Sequence, residues 1–248
     1  MNNTIGRYFI ELPLVIITII LMSSCGWLQP ETMIYSKINH YIIDSDTIID
    51  LLNHNDLGVF LPREDVDLDK NPTLSDPVNW DESDYLLVAQ SIHEFDWGES
   101  LEKWSLAQIN YSVNCSLIDS GIQTAYITYM KVDKKNKQES RFVSAISIVP
   151  RKKSVSVNKE EFSHPRKESQ SIDLSNLKIS VVGAIEIAEL NGGNKTRSAA
   201  NNQCDIQIFL KPTSRDFPGW QVIYYSNADE LLDYYYVDPL TGKLDDKK

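Results

Sequence analysis

Between Ala107 and Ser116 the chain alternates without a miss. Ala107, Ile109, Tyr111, Val113 and Cys115 fall on one side, and Gln108, Asn110, Ser112, Asn114 and Ser116 on the other. A period of two held over ten residues describes a strand with one dry face and one wet face. Such a strand folds only if another element covers the dry face. The cover stands just upstream: Asp81-Glu-Ser-Asp84 opens a predicted helix with acids at its positive end, Tyr85, Val88, Ala89, Ile92 and Phe95 form its apolar stripe, and Gly98 stops it. Asp119-Ser-Gly121 then turns the chain into a second strand over 122–132, with Tyr126, Thr128 and Met130 at alternate positions. A lysine-rich loop precedes a third strand over Phe142–Val149, and a fourth is expected around Val155 and Val157.

The same order of elements recurs downstream. A helix is predicted from Ser175 or Asn176, with the stripe Leu177, Val181, Ala184 and Ala188, ending at Gly192-Gly193. Strands follow over Asp205–Leu210, Trp220–Tyr225 and Leu231–Val237, and Asp238-Pro-Leu-Thr-Gly242 makes a tight turn before Leu244. The expected fold class is therefore α+β: two tandem units, each one helix on a three- to four-stranded antiparallel sheet, over 80–157 and 175–248. The charged, Ser-rich stretch 158–174, broken by Pro165, reads as a linker between them. Upstream, Ile34, Ile38, Tyr41 and Ile42, then Ile48, Leu51 and Leu52, are spaced by threes and fours, which predicts two short N-terminal helices inside a 25–79 segment.

The second unit resembles a PepSY-like domain, and through it a PepSY/cystatin-like arrangement. The residues that carry the resemblance are Ile179 to Gly193 (an Ala-containing helix ending in Gly), Gly219-Trp-Gln-Val-Ile-Tyr-Tyr225, and Tyr236-Val-Asp-Pro-Leu-Thr-Gly-Lys-Leu244. The polar stretch 194–204 departs from that pattern. The resemblance implies a binding or regulatory module in an extracytoplasmic protein, and it supplies no catalytic residues.

Residues 1–24 read as an address. After Arg7 and Glu11 comes an uncharged run of 11 residues, Leu12–Met22, then Ser23-Ser24 and Cys25. Eleven helical residues cover roughly half of a 30 Å hydrocarbon core, which suits the apolar region of a signal peptide. The stretch resembles the lipobox of bacterial lipoproteins, so Cys25 is the expected lipidation site and the mature N-terminus. Several acyl chains on one residue give stable attachment where one chain does not. The expected location is the cell envelope, lipid-anchored and extracytoplasmic. Gly26 resembles the pattern sent to the outer membrane where a bacterium has two.

Charge narrows the function classes. The chain carries 35 acidic and 24 basic residues, a net charge of -11, which argues against nucleic acid as a partner. The charge is unevenly spread: 56–102 holds 13 acidic and 2 basic residues, and 131–168 holds 11 basic and 5 acidic. Both stretches read as solvated segments, or as faces that meet each other or a charged partner. The lysines at 134, 135, 137, 152 and 153, with Arg151, can also rest against anionic headgroups. Asp65, Asp67, Asp69, Asn71, Thr73 and Asp76 follow the alternate spacing of an EF-hand calcium loop. Lys70 replaces the Gly that makes the turn, so a solvated linker is the preferred reading there.

No motif points to catalysis. His40, His54, His93 and His164 share no ligand spacing; His93-Glu94 lacks a second His, since position 97 is Trp. His93 itself reads as a partly exposed helix residue, and no cofactor is implied. Cys115 and Cys204 each lie near the first strand of a unit; outside the cytoplasm they can pair, or Cys115 can serve as a small apolar side chain. The tyrosines at 224, 225, 234, 235 and 236 alternate faces. Trp220, Tyr225 and Tyr235 are the candidate binding residues, as part of an exposed aromatic surface. The expected function is a non-enzymatic protein-binding or regulatory module anchored to the membrane and acting on another envelope protein. The alternative is a carrier or sensor of a small ligand or ion.

Overall fold

A computed structural model describes residues 31–43, 60–62, 80–135, 138–163, 171–211 and 219–245. Nine strands form one antiparallel sheet: β1 (Thr32–Ile43), β2 (Phe60–Pro62), β3 (Ser105–Asn114), β4 (Thr124–Lys135), β5 (Gln138–Val149), β6 (Ser154–Ser163), β7 (Cys204–Lys211), β8 (Gly219–Ser226) and β9 (Leu231–Val237). Their order across the sheet is β2-β1-β6-β5-β4-β3-β7-β8-β9. Among the described residues three α-helices accompany the sheet: α1 (Glu82–Trp97), α2 (Val181–Ala188) and α3 (Asn194–Ala199). Among the described residues no helix is long and apolar enough to cross a membrane.

This corrects the expected fold class. The chain is not two tandem helix-on-sheet units of PepSY/cystatin type but one predominantly antiparallel sheet. The seam is the pairing of β3 with β7, where Ile109, Tyr111 and Val113 lie opposite Leu210, Ile208 and Ile206. Each of these strands would end its own sheet if the units stood apart, exposing a row of unpaired backbone groups beside an apolar face. Joining the two edges satisfies both. The Cys115–Cys204 disulfide closes the top of the seam, with a Cα–Cα distance of 5.2 Å across 89 residues of sequence.

The predicted short helices are corrected in the first of their two segments. Residues 32–43 form strand β1, which pairs with β6 along most of its length. A spacing of four, as in Ile34, Ile38 and Ile42, is also a multiple of two, so helix and strand give the same signal there. The second predicted helix, over Ile48–Leu52, lies outside the described residues, as does the acidic run 65–76. Residues 158–163, read as the start of a linker, belong to β6. They pair with both β1 and β5, so hydrogen bonding on two sides overrides their polar composition.

Helix α1 begins as its sequence predicts. Asp81 accepts from the Asp84 backbone N–H and Asp84 accepts from the Asp81 N–H, a reciprocal cap. It ends at Gly98 with a φ of +67°, in the left-handed region. Its buried face is Tyr85, Val88, Ala89, Ile92 and His93; Phe95, assigned to the stripe by spacing, stays more than a third exposed and meets Tyr41 edge-on. Helix α2 starts later than predicted. Leu174–Asn176 is a separate turn, Leu177 is extended, and Ser180 provides the cap by accepting from the Gly183 N–H. Val181, Ala184, Ile185 and Ala188 then pack toward Trp220, Val222, Tyr224 and Val237. Both helices lie on one side of the sheet. Its other side is paved with Gln108, Asn110, Ser112, Thr128, Ser147 and Ser156, the wet half of the alternation.

Candidate functional site

Two adjoining cavities flank α2 and together form a groove, the first between the starts of α1 and α2 and the second between α2 and the turn that follows β3. One, of 490 Å³, lies where the helices begin. It is lined by Asp81, Glu82, Ser83 and Leu86 at the start of the first helix, and by Leu174, Leu177 and residues 178–182, which lead into the second. The other, of 580 Å³, is lined by Val113, Ile118, Gly121 and Ile122, and across from them by Val182, Ile185, Glu186, Glu189 and Leu190. Val182 borders both. The floor is aliphatic and the rim mostly acidic: Asp81, Glu82, Asp119, Glu186 and Glu189 against Lys178 and Arg197. Volumes of this size match ordinary ligand pockets, which favour junctions between structural halves.

Local chemistry builds each wall. Asn114 accepts from the Ser116 N–H and starts the tight turn Cys115–Ser120, and the disulfide pins that turn beside β7. Tyr85 donates to the Ile122 carbonyl, tying the same loop to α1. At the mouth of the first cavity, Glu82 accepts from the Val181 N–H, so α1 caps α2 across the groove. Burial raises the Glu82 carboxyl above its ordinary range against the lowering effect of that N–H. Neighbouring Asp81 is held below its range by the Ser83 hydroxyl and the Asp84 N–H. Past α2 the chain leaves helical geometry at Asn191 and Gly192, then re-enters it as α3. That break brings Arg197 back onto Glu189, 2.9 Å away, while the Tyr224 hydroxyl donates to the other Glu189 oxygen at 2.8 Å. The bonds from Glu189 hold the Arg197 guanidinium above its ordinary value. Glu189 is therefore committed, and Asp119 and Glu186 remain as the rim acids facing solvent or a ligand.

Val182 and Leu190 are 49% and 84% exposed, on the helix side of the second cavity. An apolar floor under an acidic rim recognises an aliphatic or aromatic group carried beside positive charge. The sequence reading did not single out these residues. The legible signal was Val182, an apolar residue beside the predicted stripe, and Leu190, which the stripe did not account for.

The residues proposed from sequence go elsewhere. Trp220 is fully buried, with its indole N–H donating to the Ile179 carbonyl at 2.8 Å. Tyr235 is 4% exposed and donates to Asp233 at 2.6 Å. These two are core, and only Tyr225 is partly accessible, on the opposite face of the sheet from both helices. The proposed aromatic surface of Trp220, Tyr225 and Tyr235 is corrected accordingly: alternation sends the first and last of them inward. Cys25 and the run Asp65, Asp67, Asp69, Asn71 and Asp76 lie outside the described residues. Among the described residues no cluster of three His, Cys, Asp or Glu side chains is placed to hold a metal.

His93 is the other correction. It is fully buried, not partly exposed, with Nδ1 3.0 Å from the Ser144 hydroxyl. Trp104 and Tyr129 meet its ring edge-on, and Trp97 stacks at 6.0 Å. Burial pushes its pKa down to about 4, against the pull of Glu99 and Asp96. An imidazole beside a serine hydroxyl is the pairing a hydrolase uses, but both groups here are buried and neither lines the groove. Around it the end of α1 is sealed by cations. Lys131 pairs with Glu99 at 2.6 Å and lies over Trp104 and Phe142. Lys159 pairs with Asp96 at 2.9 Å and lies over Trp97. Asp96 also accepts from Asn39 at 2.7 Å and from the Tyr41 hydroxyl.

The chain matches no protein-family model, no curated protein and no solved structure.

Proposed function

We propose that this chain is a lipid-anchored, extracytoplasmic envelope protein, attached through Cys25, whose folded part is a non-enzymatic binding module. Its groove along α2, walled on the other side by the turn after β3, receives an apolar peptide segment flanked by Lys or Arg, presented by another envelope protein. The observation that carries the reading is the pairing of an aliphatic floor with the rim acids Asp119 and Glu186, beside the half-exposed Val182. Apolar contact supplies affinity at such a site and the acidic rim supplies selection and on-rate. The shifted imidazole of His93, which an enzyme would use, lies outside the groove, and that arrangement also supports the binding reading.

The test is cross-linked capture from envelope fractions with residues 26–248, compared with the Val182→Arg/Glu186→Lys variant. Both positions are exposed, so the variant is expected to keep the parent's stability within about 0.5 kcal/mol. A stoichiometric protein captured by the parent and lost with the variant supports the groove. A protein held equally by both places binding elsewhere. The volume of the second cavity also suits a small ligand. With no protein captured and a discrete added mass by native mass spectrometry, the carrier reading replaces this one.

A further inference from the structure

Four of the exposed large apolar side chains fall within six residues of one strand: Met33 (50%), Ile34 (58%), Tyr35 (45%) and Ile38 (55%), all in β1. Among the described residues the helix layer does not reach this end of the sheet. Lys37 lies opposite Lys159, whose ammonium group meets Asp96 in the last turn of α1, so Met33–Tyr35 lie beyond the helix. On the far side of β6 and β5, Met33 is level with Val132 in β4, through Phe162 and Arg141. Beyond that row β4 ends at Lys134 and Lys135. One end of the sheet thus combines a two-sided aliphatic strand with basic positions, while the groove and the disulfide lie at the opposite end, where α1 begins.

We infer that this end of the sheet, residues 33–38, rests in the interface of a phospholipid bilayer. The inference rests on the lipid-anchor reading of Cys25. Six residues lie between Cys25 and Thr32, so the seven steps of chain reach at most about 25 Å when fully extended. A lipid on Cys25 therefore keeps β1 at the membrane surface, at a high effective concentration. Its chemistry suits that place. Met33, Ile34 and Ile38 supply aliphatic surface, and Tyr35 has an apolar ring with a polar tip. Lys37 extends its ammonium to the headgroups along an apolar stem. Among the described residues β2 pairs with β1 only at Tyr41–Ile43, so the outer backbone of residues 33–38 keeps water or headgroup partners at the interface, which the hydrocarbon core would deny it. Two points of attachment fix an orientation that a lone lipid tether leaves free, and they turn the groove away from the bilayer.

The experiment uses residues 26–248, which lack the lipidated cysteine, with vesicles of phosphatidylethanolamine and phosphatidylglycerol at three to one. Flotation is expected to carry the protein with the vesicles, and Ile34→Ser/Ile38→Ser is expected to lower the partition coefficient about tenfold or more. A fluorophore on Met33→Cys is expected to shift to the blue with lipid. The same fluorophore on Ala228→Cys, in the β8–β9 turn at the far end, is not. Equal partition of parent and double variant, or no partition of either, overturns the inference; so does an equal shift at both labels. The N-terminal mass of the full-length chain expressed with residues 1–24 reads the Cys25 anchor separately, so failure of the anchor and failure of this contact are told apart.

Discussion

The C-terminal ends of α1 and α2 solve the same problem in opposite ways. Each helix must stop while keeping its last turn on the sheet. The end of α1 is closed: Gly98 turns the chain in open space, and Trp97, His93, Lys131, Lys159 and Asp96 pack into a cluster of rings and ion pairs. The end of α2 is irregular. The chain bends through Asn191 and Gly192, Gly193 lies where a Cβ would run into the Tyr224 hydroxyl, and Leu190 is left in solvent. The first helix has 16 residues and the second 8, so α2 draws less on its own hydrogen bonds and more on side chains from α3 and β8, Arg197 and Tyr224 on Glu189. A sealed end stabilises; an irregular end beside an acidic rim is available for binding.

The largest expected effect concerns the bond that pins the segment after α2 and α3 to the end of β3. Cys115→Ser with Cys204→Ser is expected to cost about 4 kcal/mol, from the chain entropy that a loop of this length releases. Calorimetry measures the loss. Hydrogen exchange on the same variant is expected to show α2 and α3 opening before α1. Simultaneous opening would break the comparison, because the two helix ends would then belong to one cooperative unit.

Next is the pH dependence of the sealed end. The unfolded chain takes up a proton on His93 near pH 6.5 and the folded chain only near 4, so protons favour unfolding between those values. Stability is expected to fall by about 3 kcal/mol as pH drops from 6.5 to 4, at about 1.4 kcal/mol for each pH unit. Urea midpoints across that window, compared with His93→Gln, measure it: the variant should lose this slope and keep the carboxylate background. An unchanged slope would assign the effect to other groups.

The smallest effect contrasts the two terminal glycines. Gly193→Ala is expected to cost about 2 kcal/mol, because its Cβ meets the Tyr224 ring and hydroxyl and the Ala188 carbonyl. Gly98→Ala meets nothing within 4 Å and should cost about 1 kcal/mol, for the positive φ alone. Adding Tyr224→Phe should recover part of the first loss and none of the second. Equal costs at both sites would mean that the α2 end relaxes as freely as the α1 end.

Much of the local structure was legible. The Asp81 cap, the Gly98 stop and the inward set Ile109, Tyr111 and Val113 follow from side-chain chemistry within a few residues. The candidate site was not. Val182, Leu190, Ile118 and Asp119 come from two segments that meet only because β3 pairs with β7, and no local pattern announces a pairing between strands so far apart in sequence. The tyrosine cluster misled for a related reason: an aromatic run signals strand equally well whichever face is buried, and the register sent Trp220 and Tyr235 inward.

By itself the sequence determined most of the strand segments between 80 and 245, though not residues 158–163, and which face of most of them is dry, because alternation and capping are short-range. Tertiary structure decided three things: that residues 32–43 are strand, that two expected sheets are one, and that His93 is buried. Each depends on backbone and side-chain partners supplied from elsewhere in the chain. β6 supplies them to β1, β7 to β3, and Trp97, Trp104, Tyr129 and Ser144 to the imidazole. An unpaired polar group is too costly to bury, so where its partner lies settles what the segment becomes.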